Sequence, residues 1–193
     1  MGINVARCAA PGVFSVIGLG QYTDWVDWHG VAVETNESES HEGQPKIVVS
    51  KNAFDVLQRE AFRFSLNRRE VRLVAASLAQ LGLTGKVPLH QIYQARLKIP
   101  GLRLCPIDTG PVLRLAYLNQ IVGERLVIMS YSIRGMTANR NGKSRLPAKP
   151  VPDGTVDLFC LDSEPSGLYL RAVPAALGSL WDDEFKYVFM EAS

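Results

Sequence analysis

The hydrophobic period of the chain changes after residue 120. In "ERLVIMSYSI" (124–133), "TVDLFCLDS" (155–163), "GLYLRAV" (167–173) and "FKYVFME" (185–191), apolar residues alternate with polar ones or form short runs rich in β-branched and aromatic side chains. Runs of that length and composition are strands. Glycine- and proline-bearing segments at 135–142, 165–167 and 178–183 separate them as turns. Four such strands in succession predict a C-terminal antiparallel β-meander. Its hydrophobic face needs a second layer to cover it, so the first half of the chain must supply helices.

The middle of the chain offers them. Asn52 is placed to cap a helix in which Phe54, Leu57, Ala61 and Phe64 recur at helical spacing. Asn67 stands three residues before Glu70, a variant of the capping box. It predicts a second helix with Val71, Val74, Leu78 and Leu81 as its buried stripe and Gly82 as its stop. Pro88 opens a third as a first-turn proline, with Leu89, Ile92 and Leu97 inward, and Pro100 and Gly101 end it. Thr109 caps a short fourth, with Gly110 and Pro111 in its first turn and Leu113, Ala116 and Tyr117 facing one way. Before these, residues 13–19 and 31–34 read as strands joined by a turn holding Trp25 and Trp28. The polar tract 36–44 and the basic, proline-rich stretch 139–152 read as loops.

The expected class is therefore α+β, with an N-terminal β-rich segment, three to four helices and a C-terminal antiparallel β-meander. A chain of 193 residues, 47% hydrophobic, is long enough to bury one core. We read a single domain over 1–193: an acidic, β-rich front (1–50), a basic helical part (51–120) and an antiparallel sheet (121–193).

Net charge is +2, so no overall field calls for nucleic acid or membrane. Its distribution is uneven. From 51 to 104, Lys51, Arg59, Arg63, Arg68, Arg69, Arg72, Lys86, Arg96, Lys98 and Arg103 face only Asp55, Glu60 and Glu70. Three widely spaced cysteines, Cys8, Cys105 and Cys160, are neither a disulfide framework nor a zinc pattern, and fit a reducing, cytoplasmic setting. No run approaches the roughly 18 apolar residues of a membrane span. The apolar stretch 9–19 is broken by Pro11, Gly12 and Gly18, which argues against a secretory leader, and Ala6 stands where a myristoylation motif wants Ser or Thr.

Four groups of residues bear on chemistry. Cys105 precedes a helix start, with Arg103 and Arg114 nearby, and His90 and Asp108 would complete a nucleophile, base and acid. The bland alternative is a small buried hydrophobe between Leu104 and Pro106. Arg114, Tyr117 and Gln120 recur every three residues on the fourth helix, either lining a pocket for an anionic or amide ligand or sealing that helix to the sheet, with Arg114 paired to Glu124 or Asp108. Asp27, His29 and His41 are ligand types without metal-site spacing, so no metal is expected, and Trp25, Asp27 and Trp28 are either a ligand cradle or core anchors. Finally, 67–100 has the length and glycine turn of a helix-turn-helix unit. That geometry would aim His90, Gln91, Gln94 and Arg96 at base edges and Arg68, Arg69 and Arg72 at phosphates. "GLGQ" lacks the third glycine of a phosphate loop, and no cofactor is expected.

The favoured expectation is a non-catalytic accessory protein binding a macromolecule, an acidic protein or a nucleic acid, through a basic helical face. The rival is a thiol-dependent hydrolase or transferase with Cys105 as nucleophile. From Leu78 onward, Leu104, Cys105, Pro106, Gly110, Pro111, Leu113, Arg114, Leu115, Tyr117, Gln120, Gly123 and Glu124, followed by Trp181, Val188 and Phe189, form an LCPxxxGPxLRLxYxxQxxGE pattern with a closing Trp and Val-Phe. In this the chain resembles an uncharacterised family of bacterial proteins. Its members often carry a glutamate just after Cys-Pro, where this chain has Ile107 and Asp108. The resemblance implies kinship over more than half the chain and no particular activity.

Overall fold

The computed structural model describes residues 13–22, 24–37, 46–59, 62–131, 137–138, 144–145 and 155–192. The α+β class holds: four α-helices accompany an eight-stranded sheet among the described residues. The strands are β1 (Val13–Leu19), β2 (Ile47–Val49), β3 (Arg69–Ala76), β4 (Val87–Pro88), β5 (Leu102–Arg103) and β6 (Arg125–Ile128). They continue with β7 (Thr137–Ala138), β8 (Ser144–Arg145), β9 (Thr155–Glu164), β10 (Gly167–Ala176), β11 (Leu180–Trp181) and β12 (Lys186–Glu191). The helices are α1 (Trp25–Glu37), α2 (Lys51–Leu57), α3 (Leu89–Ala95) and α4 (Thr109–Ala116), with a 3₁₀ turn at Arg96–Lys98 after α3.

Strand order across the main sheet is β1-β3-β12-β6-β9-β10-β2, with β5 also on β12. The C-terminal strands lie where the alternation puts them, and β6, β9 and β10 run antiparallel in sequence. The last strand departs from a meander. β12 leaves β10 and enters the middle of the sheet, antiparallel to β3 and parallel to β6. Every central strand is then covered on both faces. On one side Leu126, Ile128, Phe159, Leu161 and Val188 pack with residues of α1, α2 and α4. On the other Val127, Met129, Leu158, Cys160, Tyr187 and Phe189 pack with α3, β4 and β11. The short continuous apolar runs follow from this, since a strand buried on both sides has no polar face.

Three local expectations are corrected. Residues 69–76 form strand β3, not a helix: Val71 and Leu73 point into one core, Val74 and Ala76 into the other. The spacing of Val71 and Val74 fits a helix and a doubly buried strand equally well, and the β-branched content favours the strand. Residues 31–34 are helical within α1, so the N-terminal segment is not mainly β. Asp24 caps that helix, its Oδ1 accepting from the N–H of Val26 and Asp27 at 2.9 and 3.0 Å. α2 is shorter than its periodicity promised: Ser50, not Asn52, caps it, and it ends at Leu57, so Phe64 belongs to the following loop. Most of the loops expected at 36–44 and 139–152 lie outside the described residues.

α4 arises at the expected place, with Asp108 as the residue before its first turn. Trp28, fully buried on α1, donates its indole N–H to the Pro111 carbonyl at 2.9 Å, tying α1 to α4. Gly110 is where α4 meets the sheet. A Cβ there would lie 2.5 Å from the Phe159 Cβ and 2.8 Å from its Cγ, atoms held by strand β9. Gly110→Ala is thus expected to destabilise the fold by about 1–3 kcal/mol through overpacking, measured by denaturant unfolding. Unchanged stability would show that α4 does not sit against β9 at this distance.

Candidate functional site

The three side chains of the thiol-enzyme reading are not brought together. Cys105 is fully buried, and its Sγ–H points to the Val188 carbonyl at 3.5 Å. Burial pushes its pKa far up. His90 is exposed on α3, its Nδ1 3.1 Å from the Leu177 carbonyl. Asp108 is buried, but its carboxylate turns to Ser65, accepting from the backbone N–H at 2.7 Å and the hydroxyl at 3.2 Å. A thiol held neutral, without its base or acid, has no route to the nucleophilic thiolate.

Arg114, Tyr117 and Gln120 do come together, as a buried lock. Arg114 has no solvent exposure. Its guanidinium donates to Gln120 Oε1 at 2.6 Å and to the Tyr117 carbonyl. Gln120 in turn donates to the carbonyls of Glu124 and Leu161 at 2.9 and 3.0 Å, and the Tyr117 hydroxyl reaches Glu124 Oε2 at 3.0 Å. Neither Glu124 nor Asp108 is the arginine's direct partner. Desolvation lowers the Arg114 pKa to about 10, with Tyr117 and Asp162 opposing the shift, and the side chain stays charged at neutral pH. The arrangement satisfies the main chain where α4 gives way to β6 and leaves no open face for a ligand.

The arginines assigned to a helix-turn-helix are dispersed by β3. Strand alternation places Arg69 on the α4 side of the sheet with Val71, and Arg72 on the opposite side with Val74. Arg72 pairs with Glu191 at 2.7 Å. Arg96 is half-buried in the 3₁₀ turn. His90, Gln91 and Gln94 line a groove of about 470 Å³ against the turn at Gln80 and Leu81, not a free recognition face.

What remains open is the end of the β1–β3 ladder. Leu19 pairs with Arg69 and Gly18 with Glu70. These four residues, with Gln21 and Arg68, line a cleft of about 530 Å³. Arg68 and Arg69 are both exposed, and Arg68 makes no ion pair with any described residue. The field of Arg69 reaches Asp108, yet desolvation still dominates that carboxyl and raises its pKa. Gly20 closes the ladder with φ of 76°, where a Cβ would lie 2.5 Å from the Asn67 carbonyl oxygen, so the turn at 67–68 packs directly on it.

A second charged cleft, about 370 Å³, escaped the sequence reading. Asp162 is buried between Arg171, 2.8 Å from its Oδ2, and Arg125, 3.5 Å from its Oδ1. Both arginines also contact carboxylates, Glu164 and Glu184, and lie over the rings of Tyr169 and Phe185. The signal was present: alternation in "LFCLD" puts Asp162 on the face of Leu158 and Cys160, and a carboxylate there must have cationic partners. Trp28 is a core anchor, Trp25 packs edge-on to Phe54, and His29 stands beside both Trp25 and Phe54. His41 and Cys8 fall outside the described residues. Among the described residues no three potential ligands gather around a metal position, and no helix is long and apolar enough to cross a membrane.

The structure is that of an α+β protein with a mixed open sheet, two of whose clefts are lined by arginines. Compared with known proteins, the chain matches no family model, no curated protein and no solved structure.

Two outcomes check this assignment of charges and thiols. Iodoacetamide should modify Cys105 and Cys160 only in denaturant, read peptide by peptide by mass spectrometry; labelling of native Cys105 would reinstate the thiol. The folded-state pKa of Asp108 is raised, so its charge costs stability above that pKa, and the cost disappears as pH falls through it. Asp108→Asn should therefore compare better with the wild type at pH 8 than at pH 4.5 in parallel urea unfolding, and an equal or reversed difference would contradict the burial of its charge.

Proposed function

We propose that the protein is a non-catalytic binding module that engages an acidic macromolecule, a protein or a nucleic acid, at the basic cleft on the β1–β3 edge. The observation that supports it most is the pair Arg68 and Arg69, exposed side by side at the mouth of an open cleft against the single lining carboxylate Glu70. Consecutive guanidiniums with hydrogen-bonding faces in water suit carboxylate or phosphate. This moves the contact from a helical face to a strand edge and keeps the basic, non-enzymatic character of the sequence reading. Free, buried Cys105 and Cys160 suit a cytoplasmic protein, and the motif resemblance suggests a bacterial one.

A polyanion column tests it. The wild type should be retained on heparin at low salt, and Arg68→Ala/Arg69→Ala should elute at clearly lower salt than Lys51→Ala/Lys98→Ala, a control with the same change in net charge. Equal shifts would reduce the effect to net charge and defeat the reading, as would no retention at all.

A further inference from the structure

The partner's chemistry can be narrowed by what borders the basic cleft. Gly18 and Leu19 line that cleft and are also the last residues of β1, an outer strand of the sheet that pairs with β3 alone among the described residues. A bulge at Phe14 interrupts the ladder at its far end, between Val13 and Ser15, and from Ser15 to Leu19 the pairing is regular. Outer strands are usually guarded by a charge, a proline or brevity. "VFSVIGL" has no charge and no proline, whereas the opposite outer strand β2 is only three residues long. Val16 is the second residue of the regular stretch and is 52% exposed.

We propose that β1 accepts an extended acidic segment of a protein partner, which adds a strand to the sheet and places a carboxylate at Arg68 and Arg69. The proposal rests on the basic-cleft reading above and specifies its partner as a polypeptide. Main-chain hydrogen bonds along β1 supply affinity that does not depend on sequence, and the cleft selects for acidic side chains. Val16 and Gly18 lie on the same face of β1. On that face, whose ladder partners are Arg72 and Glu70, an added strand meets the apolar Val16 and then Gly18 covered by the Gln21 side chain, and it reaches Arg68 and Arg69 at the end of β1, with Arg69 opposite Leu19 on the other face. Described residues near the cleft contribute Glu70 and Asp108 against Arg68 and Arg69, so the selection is local rather than a field of the whole protein. A nucleic acid uses only the arginines and leaves the backbone edge idle.

The full chain is titrated with capped nine-residue peptides in which Val and Thr alternate with Glu, in both registers, and with a heparin oligosaccharide and duplex DNA. Amide hydrogen exchange over 15–19 is followed throughout. The expected result is saturable peptide binding that slows exchange in this segment. It should weaken at least about tenfold, the size of a lost charge-assisted contact, in Arg68→Ala/Arg69→Ala. Val16→Asp should abolish it by repulsion, while Val16→Thr retains it, both variants matching the wild type in circular dichroism. If heparin or DNA binds through Arg68 and Arg69 while no peptide slows exchange in β1, strand addition is overturned and the basic cleft stands. If peptides bind without dependence on the arginines, the acidic specificity is overturned. If no probe binds, both readings fall; slowed exchange in the free protein with rising protein concentration would instead assign the edge to self-association and overturn the proposal.

Discussion

Strand β12 holds the sheet together. It pairs with β3 on one side and with both β6 and β5 on the other, so within the main sheet it joins the β1–β3 pair to β6, β9 and β10, while β2 reaches the sheet separately through β10. Its three central residues, Tyr187, Val188 and Phe189, are wholly buried and divide between the two cores. The two cores cannot both close until the last residues of the chain are in place. Closing them joins residues more than a hundred positions apart, which makes a fold of this topology slow to form relative to one built from local pairs.

The same constraint explains the buried polar groups. A sheet covered on both faces leaves no solvent for the main chain at strand ends, so side chains must satisfy it. Gln120 does this for Glu124 and Leu161, and Ser163 does it for Gln120 itself. Arg114 holds Gln120 in that orientation. A charged residue in such a place costs desolvation and is kept because removing it would strand its partners. The Arg114–Tyr117–Gln120 spacing that resembled a ligand site is therefore explained as structure, and the LRLxYxxQxxGE part of the sequence pattern becomes a description of one α4-to-β6 junction.

Legibility in the sequence followed locality. β1, α4 and the four C-terminal strands were readable because their signals, alternation and turn residues, act within ten residues. The α1 helix was not, since "WVDWHGVAVETNE" carries a glycine and β-branched residues that suit a strand locally; Asp24 and the Trp28 bond to Pro111 decide the matter from outside the segment. The position of β12 was not readable either, because nothing in "KYVFME" names its neighbours. For the site, the arginines were visible as residues but their geometry depended on β3.

That dependence is the step from fold to function. On a helix, Arg68, Arg69 and Arg72 would share one face and make a broad cationic surface suited to a phosphate backbone. On and before a strand they part: Arg72 crosses to the other side and is neutralised by Glu191, while Arg68 and Arg69 stay at the end of the ladder beside Gly18 and Leu19. A surface that would have been wide and purely electrostatic becomes narrow and adjoins an uncharged strand edge. Narrow charge beside main-chain donors and acceptors discriminates among partners by shape and hydrogen bonding as well as by sign, and an extended chain is the ligand form that can use both at once.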